Sequence, residues 1–488
     1  MISELVRDDI VLMIENFIHS NSSKISMLLP DKAIRCITLF KRNGYECYVV
    51  GGFIRDTLLK RATTNKALDF ATNATPQEML TFLPNAKYEN KFGTVIVPLK
   101  ESANTLRIKK NEYSESEYFE ITTYRSESLY KDKRHPENVT WGTRIEEDLS
   151  RRDFTVNALA YDGKRFVDIY NGIHDLKKKS IRAVNNAYAR FEEDALRMLR
   201  AVRLASQLHF TIEKETYEAL QTQAKNLSYI SSERIRDEFF ALLSSKNAMG
   251  GVLILKDTGL LQSILPELYP AFLCDQKSPK RHHIYDVGTH LIRSLDACKN
   301  TDPIVRLATL IHDIGKPNTR SITKEGVITF YNHEIIGTQM AYEIASRMRL
   351  SKKDTIRLTK LVRYHQFSVT EEQTDSALRR LIRNVGKENI NDLIDLRVAD
   401  RIGSGASPSS WRLDLYKKRL IQVQTQPFNV RDLVIDGTDV MRLLNMEPGP
   451  KVGKVLDKLF AHIEKGELEN KKKMLIEYVK KLDPKTIS

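Results

Sequence analysis

The chain is poor in cysteine and contains no long apolar run. Its 488 residues include four cysteines, and their wide spacing fits neither a zinc-ligand pattern nor a disulfide framework: Cys36, Cys47, Cys274 and Cys298. No apolar stretch reaches the roughly 20 residues that a membrane span needs. The residues Met1–Ile10 also lack the basic segment and apolar block of a secretory signal. We therefore expect a cytoplasmic protein in a reducing setting, with no membrane association.

The charge balance is basic. Lysine and arginine number 77 against 63 acidic residues, which gives a net charge of +14 at pH 7. An excess of this kind in a large chain favours a polyanionic partner. The hydrophobic content of 41% is sufficient for a full core. No internal repeat, low-complexity linker or sign of an obligate protein partner is evident.

The periodicity of the apolar residues changes along the chain. Helical spacing over Asp8–Ile18 predicts a helix, short runs up to about Asp168 predict strands, and the spacing from Arg190 onward is almost wholly helical. The predicted strands are Tyr48–Val50, Ala67–Ala71, Thr94–Leu99, Phe119–Tyr124 and Arg165–Asp168. We therefore predict an α+β fold, in which a small α/β head with a mixed sheet and flanking helices precedes an extended all-α body.

A glycine turn follows the first predicted strand. Tyr48-Val-Val-Gly-Gly-Phe-Ile-Arg-Asp56 reads as strand, turn and helix, and backbone N–H groups at such a turn form a cradle for phosphate. The next strand, in Lys66-Ala-Leu-Asp-Phe-Ala-Thr72, carries Asp69, whose carboxylate can hold the magnesium that accompanies phosphates.

These motifs resemble the catalytic core of class II tRNA nucleotidyltransferases, the CCA-adding enzymes and their poly(A) polymerase relatives. The resemblance implies that Asp69 and Glu120 are catalytic and bind Mg²⁺, and that Gly51, Gly52 and Arg55 bind the nucleotide.

One position departs from the family pattern, which has Asp-x-Asp where this sequence has Ala67-Leu-Asp69. Residues two apart on a strand point to the same face, so two aspartates there would share one metal site. We expect Ala67 to weaken metal binding and to reduce turnover strongly. We interpret it as an engineered, inactivating replacement of Asp, and a natural loss of activity is the alternative.

A second block, Asp148-Leu-Ser-Arg-Arg-Asp-Phe-Thr-Val-Asn-Ala158, also matches the family. There Arg151, Arg152, Asp153 and Asn157 are expected to bind the triphosphate and the ribose, because guanidinium groups suit phosphate oxygens. A structural alternative is a salt-bridged pair of Arg152 and Asp153 at a helix start.

A third block contains the residues that we expect to select the nucleotide base: Phe191-Glu-Glu-Asp-Ala-Leu-Arg-Met-Leu-Arg-Ala-Val-Arg203. Asp194 and Arg197 are three apart on a predicted helix and so share a face. An acceptor beside a donor can pair with C and A, whereas G and U present the opposite polarity. By resemblance this pair is a protein template for CTP and ATP, with Glu193 orienting Arg197. The alternative is a surface ion pair, which contributes little.

Two further segments match the family. The polar stretch from Tyr124 to Pro136 corresponds to a flexible loop needed to switch from C to A addition, which argues against an enzyme that adds only C. The segment from Ser231 to Phe240 resembles a helix start, and we expect its residues to be structural.

A separate group of histidines and aspartates lies in the helical body. Helices that present such side chains to one point can form a metal site. The pattern resembles the HD phosphohydrolase superfamily and implies a second divalent metal of the Mn, Ni or Fe class, with hydrolysis of 2′,3′-cyclic or 2′-phosphate ends if the site is active. The residues concerned are His290, His312, Asp313, His333, His365 and Asp400.

The resemblance covers nearly the whole chain and divides it into five parts. They are an N-terminal helical extension (1–34), the nucleotidyltransferase head (35–170), a neck with the nucleotide-template helix (171–245), a helical body with the HD domain (246–405) and a helical tRNA-binding tail (406–488). The implied function is template-independent addition or repair of the 3′-terminal CCA of tRNA from CTP and ATP. The alternatives are an A-adding enzyme, a poly(A) polymerase, or a catalytically silent tRNA-binding protein with an HD phosphohydrolase site.

Overall fold

The computed structural model describes residues 29–61, 68–90, 93–114, 116–126, 140–276, 285–367, 370, 373–424, 430–465 and 467–482. Ala67, the predicted helix over Asp8–Ile18 and most of the predicted loop lie outside these residues. The chain divides into two compact units between Ile264 and Leu265. This division falls inside the predicted body, and the five predicted domain boundaries stay predictions.

The first unit contains a mixed sheet, as predicted. The strands concerned are β1 (Cys47–Val50), β2 (Leu68–Thr72), β3 (Lys87–Asn90), β4 (Thr94–Pro98), β5 (Tyr118–Thr123), β6 (Arg125–Ser126), β7 (Thr140–Trp141), β8 (Ala160–Tyr161) and β9 (Phe166–Val167). Within the described residues seven of them form the sheet, in the order β3-β4-β5-β2-β1-β8-β9, in which β2 and β5 are parallel and the other neighbours antiparallel. Strands β6 and β7 form a separate antiparallel pair.

Helices flank this sheet and then form the neck. Thr75 begins one of them with a capping box, in which its hydroxyl accepts from the N–H of Glu78 and the Glu78 side chain accepts from the N–H of Thr75. The helices are α1 (Asp31–Arg42), α2 (Gly52–Leu58), α3 (Pro76–Phe82), α4 (Leu99–Leu106), α5 (Ile145–Ser150), α6 (Gly172–Lys178), α7 (Ala187–Glu193), α8 (Leu196–Leu208), α9 (Lys214–Gln223), α10 (Ser232–Leu243), α11 (Ala248–Asp257) and α12 (Leu261–Ile264).

The described part of the second unit is almost entirely helical, as its periodicity predicts. Its helices are α13 (Tyr269–Phe272), α14 (Val287–Ala297), α15 (Pro303–Ile311), α16 (Lys316–Thr319), α17 (His333–Arg347), α18 (Lys352–Tyr364), α19 (Asp375–Val385), α20 (Ile390–Gly403), α21 (Trp411–Gln424), α22 (Gly437–Leu444), α23 (Pro450–Glu464) and α24 (Lys472–Lys480). Across the described residues, none of the helices combines the length and apolar character needed to cross a bilayer.

Two strands of the sheet, β3 and β8, are not predicted by the sequence pattern. β3 reads Lys-Tyr-Glu-Asn and offers no apolar alternation, so only its pairing with β4 makes it a strand. β8 has two residues and is defined by antiparallel pairing with β1 and β9. All four cysteines are buried free thiols, and the cytoplasmic setting stays a prediction.

Candidate active site and candidate metal centre

One cavity of about 450 Å³ in the first unit collects most of the residues predicted for the head and the neck. Arg55 and Glu193 are not among its lining residues. The predicted residues that do line it are Gly51, Gly52, Asp69, Glu120, Arg151, Arg152, Asp153, Asn157, Asp194 and Arg197.

Asp69 and Glu120 form the acidic side of this cavity. They lie opposite each other in register on the parallel strands β2 and β5, so both carboxylates point to one face. Burial raises the pKa of Asp69, and Arg152 opposes this only in part. Burial and the negative charges of Asp69 and Glu89 raise the pKa of Glu120. Two neighbouring carboxylates that repel each other are a donor set that fits a divalent cation such as Mg²⁺.

The turn between β1 and α2 requires glycine. Gly51 has φ +74° and ψ −141°, a conformation that other residues rarely adopt. A Cβ atom there would lie 3.2 Å from Arg152 Nη1 and 3.9 Å from Asp69 Oδ2. The missing side chain therefore keeps open the space between a cation and a carboxylate, where a metal-bound phosphate would have to fit.

Asp148 anchors the two arginines of the second block. It is buried at the end of α5, where Oδ1 accepts from Arg151 Nε at 3.0 Å and Oδ2 from Arg152 Nη2 at 2.9 Å. Burial by itself would raise the pKa of Asp148, but the two guanidinium groups hold that pKa at about 2. Arg152 thus pairs with Asp148, and Asp153 pairs with Arg200 at 2.7 Å, so the pairs differ from the Arg152–Asp153 pair that was the structural alternative.

Asp153 and Asn157 belong to a buried hydrogen-bond network. Asp153 Oδ2 accepts from Arg200 Nε at 2.8 Å, and its Oδ1 accepts from Asn157 Nδ2 at 3.1 Å. Arg55 donates to Asn157 Oδ1 at 2.6 Å and pairs with Asp56 at 2.9 Å. Arg55 therefore bonds to Asn157 from outside the cavity lining, and its contact with the nucleotide stays a prediction.

The sequence predicted Asp194 and Arg197 on one continuous helix, and the structure differs: Asp194 lies at a break between two helices, and Arg197 lies in the first turn of the second helix. Helix α7 ends at Glu193, Asp194 is extended with φ −145° and ψ 103°, and α8 begins at Leu196. Asp194 Oδ1 accepts from the N–H of Leu196 at 3.1 Å, a local bond that competes with helix continuation. Arg197 Nη1 donates to Glu193 Oε2 at 2.7 Å, the contact that the predicted orienting role requires.

The cavity also contains arginines that sequence reasoning did not assign to it, namely Arg125, Arg200 and Arg234. Arg234 Nη2 donates to Asp194 Oδ2 at 2.7 Å. Its helix, α10, was predicted at this place, but its residues were expected to be structural only. The one available signal was an arginine in the first turn of a helix within the predicted neck, which is weak by itself.

In the second unit, all the residues predicted for the metal site converge on one centre. They come from separate helices or from the residues that follow a helix end. The residues concerned are His290, His312, Asp313, His333, His365 and Asp400.

The distances at this centre are short. His290 Nε2 lies 3.1 Å from His312 Nε2 and 3.3 Å from Asp400 Oδ1. His365 Nε2 lies 3.4 Å from Asp313 Oδ1. Two groups of three ligand atoms lie within 4.8 Å of one another: His290, His312 and Asp400, and His312, Asp313 and His365.

Backbone carbonyls orient three of these imidazoles. The bonds run from Nδ1 of His312 to Thr309 O at 2.8 Å, from Nδ1 of His333 to Phe330 O at 2.7 Å, and from Nδ1 of His365 to Val362 O at 2.7 Å. When Nδ1–H donates in this way, the Nε2 lone pair is directed at the centre. This is the usual orientation of a metal-binding histidine.

The two aspartates make this centre favour positive charge. Burial acts to lower the pKa of His312, but Asp313 and Asp400 raise it to about 10. Burial lowers the pKa of His365, and Lys316 Nζ contacts Asp313 at 2.6 Å. A mixed set of imidazoles and carboxylates fits a divalent ion of the Mn, Ni or Fe class.

The mixed sheet with a carboxylate pair facing arginines across a cavity defines the first unit as a nucleotidyltransferase fold. Three families match parts of the chain: "Poly A polymerase head domain" at residues 47–182, "Probable RNA and SrmB- binding site of polymerase A" at 209–272, and "tRNA nucleotidyltransferase domain 2" at 338–479.

Similarity to individual proteins identifies the kind of nucleotidyltransferase more closely. The CCA-adding enzyme of Enterococcus faecalis is 30% identical over 450 residues, 90% of this chain and 92% of that protein. The A-adding tRNA nucleotidyltransferase of Deinococcus radiodurans is 35% identical over 326 residues, 64% of this chain and 74% of that protein. The Bacillus stearothermophilus CCA-adding enzyme in complex with CTP superposes with a TM-score of 0.64 at 25% identity, covering 92% of this chain and 96% of that one. The chain belongs to the CCA-adding enzymes, which are class II tRNA nucleotidyltransferases.

Proposed function

We propose that this protein adds or repairs the 3′-terminal CCA of tRNA, using CTP and ATP without a nucleic-acid template. The observation that carries the proposal is that Asp194 and Arg197 line the same cavity as Asp69 and Glu120. Base selection and phosphoryl transfer can therefore occur around one bound nucleotide. Similarity to a CCA-adding enzyme over 92% of that protein's length supports the same function.

Each part of the cavity has a distinct task in this reaction. Arg151 and Arg152, aimed by Asp148, bind the triphosphate, and Asn157 with Asp153 contacts the ribose. The RNA 3′ oxygen forms a bond to the α-phosphorus, its proton passes to solvent water, and the bond from the α-phosphorus to the pyrophosphate oxygen breaks. The family depends on a divalent metal ion, and Asp69 and Glu120 are the residues that would hold Mg²⁺, which supplies charge neutralisation at the phosphates. The protein acts mainly by positioning and electrostatics.

Selection of CTP and ATP follows from the arrangement of hydrogen-bond donors and acceptors on the base. The carboxylate of Asp194 accepts from an exocyclic amino group, and the guanidinium of Arg197 donates to a ring nitrogen. GTP and UTP would leave buried polar groups without partners, at about 1–3 kcal/mol for each.

We further propose that Ala67 lowers the activity of this chain, because only Asp69 remains of the family's strand pair. Restoring the carboxylate with Ala67→Asp should increase nucleotide incorporation by about 10²–10³-fold, the size of effect seen when a single electrostatic group is removed from an active site.

The test is sequencing of RNA 3′ ends after tRNA that lacks its terminus is incubated with Mg²⁺, CTP and ATP and either protein. Ends that read C-C-A support the proposal, and a greater yield with Ala67→Asp supports the role of position 67. A single added A would identify an A-adding enzyme, and a run of A a poly(A) polymerase. No extension by either protein would contradict nucleotidyl transfer altogether.

We also propose a metal-dependent phosphohydrolase at the centre of the second unit, favoured by the convergence of six potential ligands there. Water would add to the phosphorus of a 2′,3′-cyclic end, one ring P–O bond would break, and the leaving ribose oxygen would take the proton. Metal analysis of the purified protein should find a divalent ion that Asp313→Ala removes. An unchanged metal content in that variant would contradict the site.

A further inference from the structure

Two adjoining cavities open beside the centre of the second unit. The first, of about 610 Å³, is lined by Asp313, His333, His365 and Asp400 among others. The second, of about 800 Å³, shares Glu334, Gln366, Arg397 and Arg401 with it. Each has the size that typically takes one small ligand, about 300–1,000 Å³. The pair therefore offers more room than a single terminal phosphate needs.

Arginines line the second cavity and its junction with the first. Arg397 Nη1 pairs with Asp400 Oδ2 at 2.9 Å, so it reaches the centre itself. Arg363 pairs with Glu334 at 3.1 Å, and Arg401 Nε donates to Ser407 O at 3.2 Å. Glu334 is the one acidic residue among the described residues of the second cavity, and a salt bridge with Arg363 already compensates it. With Arg412 also at this wall, the surface suits a chain of phosphates.

Aromatic rings accompany these arginines. Trp411 is 61% exposed at the wall of the second cavity, and the guanidinium of Arg412 lies 5.2 Å from the centre of its ring. Tyr364 lines the same cavity, and Tyr331, 77% exposed, lines the first. Rings interleaved with arginines are the composition of surfaces that bind single-stranded nucleic acid, where bases stack and phosphates pair. A phosphorylated peptide would use the arginines, but it does not carry a flat ring beside each phosphate as a nucleic acid does.

We propose that the two cavities form one groove that binds a single-stranded RNA end, with phosphates on Arg363, Arg401 and Arg412 and a base on Trp411. The groove delivers the terminal phosphate to the centre, with Arg397 at the junction. This assignment rests on the phosphohydrolase proposed above and adds its substrate class: an oligonucleotide and not a free mononucleotide.

The first test compares two substrates of the full chain, each with a 2′,3′-cyclic phosphate: an oligoribonucleotide of about eight residues and a mononucleotide. Trp411→Ala and Arg401→Ala should each raise KM for the oligonucleotide about tenfold, the effect of losing one stacked base or one phosphate contact, and leave the mononucleotide unaffected. Tyr342→Ala and Lys353→Ala are the controls, because these exposed residues lie on α17 and α18 outside both cavities. Equal KM changes for both substrates, or none, would overturn the groove.

The second test does not depend on hydrolysis. An oligoribonucleotide with 4-thiouridine next to its 3′ end is irradiated with the protein, and the crosslinked peptides are identified by mass spectrometry. We expect crosslinks at Trp411 or Tyr331 that Arg401→Ala reduces at least threefold. Crosslinks confined to the first unit would overturn the groove. If neither substrate is hydrolysed but these crosslinks form, the phosphohydrolase fails while the RNA groove stands.

Discussion

Asp69 and Glu120 owe their proximity to strand register. The parallel pairing of β2 and β5 sets the two residues opposite each other, and the mutual repulsion of their carboxylates favours a cation between them. Position 67 lies outside the described residues, and the expectation that a carboxylate there would share a face with Asp69 stays a prediction from the sequence. We therefore expect the loss of either carboxylate to have a large effect, because the described residues offer few ligands for a cation on these two strands.

At Gly51 the absence of a side chain has a local and testable consequence. Gly51→Ala should lower kcat/KM for nucleotide addition about 10²-fold, because its Cβ would intrude between Arg152 and Asp69 and misplace the phosphates. Steady-state kinetics in the Ala67→Asp background measures this.

Gly163→Ala is the matched control for that prediction. Gly163 also has a positive φ, +87°, but a Cβ there meets nothing within 4 Å. Both substitutions should destabilise the fold by about 1–3 kcal/mol. Equal losses of activity in the two variants would show that backbone strain, and not intrusion into the cavity, is responsible.

Arg234 should be a positioning residue for nucleotide selection. Its removal in Arg234→Ala frees the Asp194 carboxylate from a 2.7 Å contact, and KM for CTP and ATP should rise about tenfold, as expected for a lost charged hydrogen bond. Discrimination against GTP and UTP should fall in the same assays. Arg236→Ala is the control, because Arg236 pairs with its neighbour Asp237 outside the cavity lining. The prediction fails if both variants change KM equally or if discrimination stays intact.

At the scale of elements, helix α5 acts as a support for the residues that follow it. Its last turn carries Asp148, which is fully buried and binds Arg151 and Arg152. Because Asp148 is ionised in the folded state, the helix fixes two cations at the cavity wall without exposing the carboxylate to a bound phosphate.

The pKa of Asp148 predicts how stability depends on pH. A pKa of about 2 against an ordinary value of 3.8 corresponds to about 2 kcal/mol of stabilisation. Since the folded-state pKa is the lower one, this contribution is complete above about pH 4 and is lost as the pH falls toward 2. Asp148→Asn should therefore lower the free energy of unfolding at pH 7 by about 2 kcal/mol, with a difference that shrinks below pH 4.

The positions of the two tryptophans allow unfolding of the first unit to be measured by itself. Trp141 lies in the first unit and Trp411 in the second, so Trp141 fluorescence in a Trp411→Phe background reports urea unfolding of the first unit. Asp237→Asn, at an exposed ion pair, is the control and should change the free energy little. A difference between Asp148→Asn and the unsubstituted protein that persists unchanged at pH 2 would contradict the assigned cause.

At the scale of the whole molecule, each unit holds a site suited to phosphate chemistry. The cavity of the first unit combines carboxylates with arginines, and the centre of the second combines imidazoles with carboxylates. The donor sets differ, so the first favours a hard ion such as Mg²⁺ and the second a transition metal.

The two sites should therefore be separable. His312→Ala should abolish transition-metal content, measured by elemental analysis, and leave CCA addition in the Ala67→Asp background within about twofold, because no residue of the centre lines the cavity of the first unit. Metal content at the centre should also fall as the pH is lowered, since Asp313 and Asp400 favour protonation of His312, and protons compete with the metal. A loss of CCA addition comparable to the loss of metal would show that the sites are coupled.

The sequence by itself determined the order of head and helical body, most sheet strands and the side chains that bring carboxylates, arginines and histidines to the sites. These features are readable because apolar periodicity and short motifs are local properties of the chain. The tertiary structure alone decided that Arg234 and Arg200 reach the cavity and that Arg55 bonds to Asn157 from outside the cavity lining. It also decided how close to one another the six potential ligands of the second unit lie. The physical reason is that these contacts join residues far apart in sequence, and their distances depend on how elements pack, which local pattern does not encode.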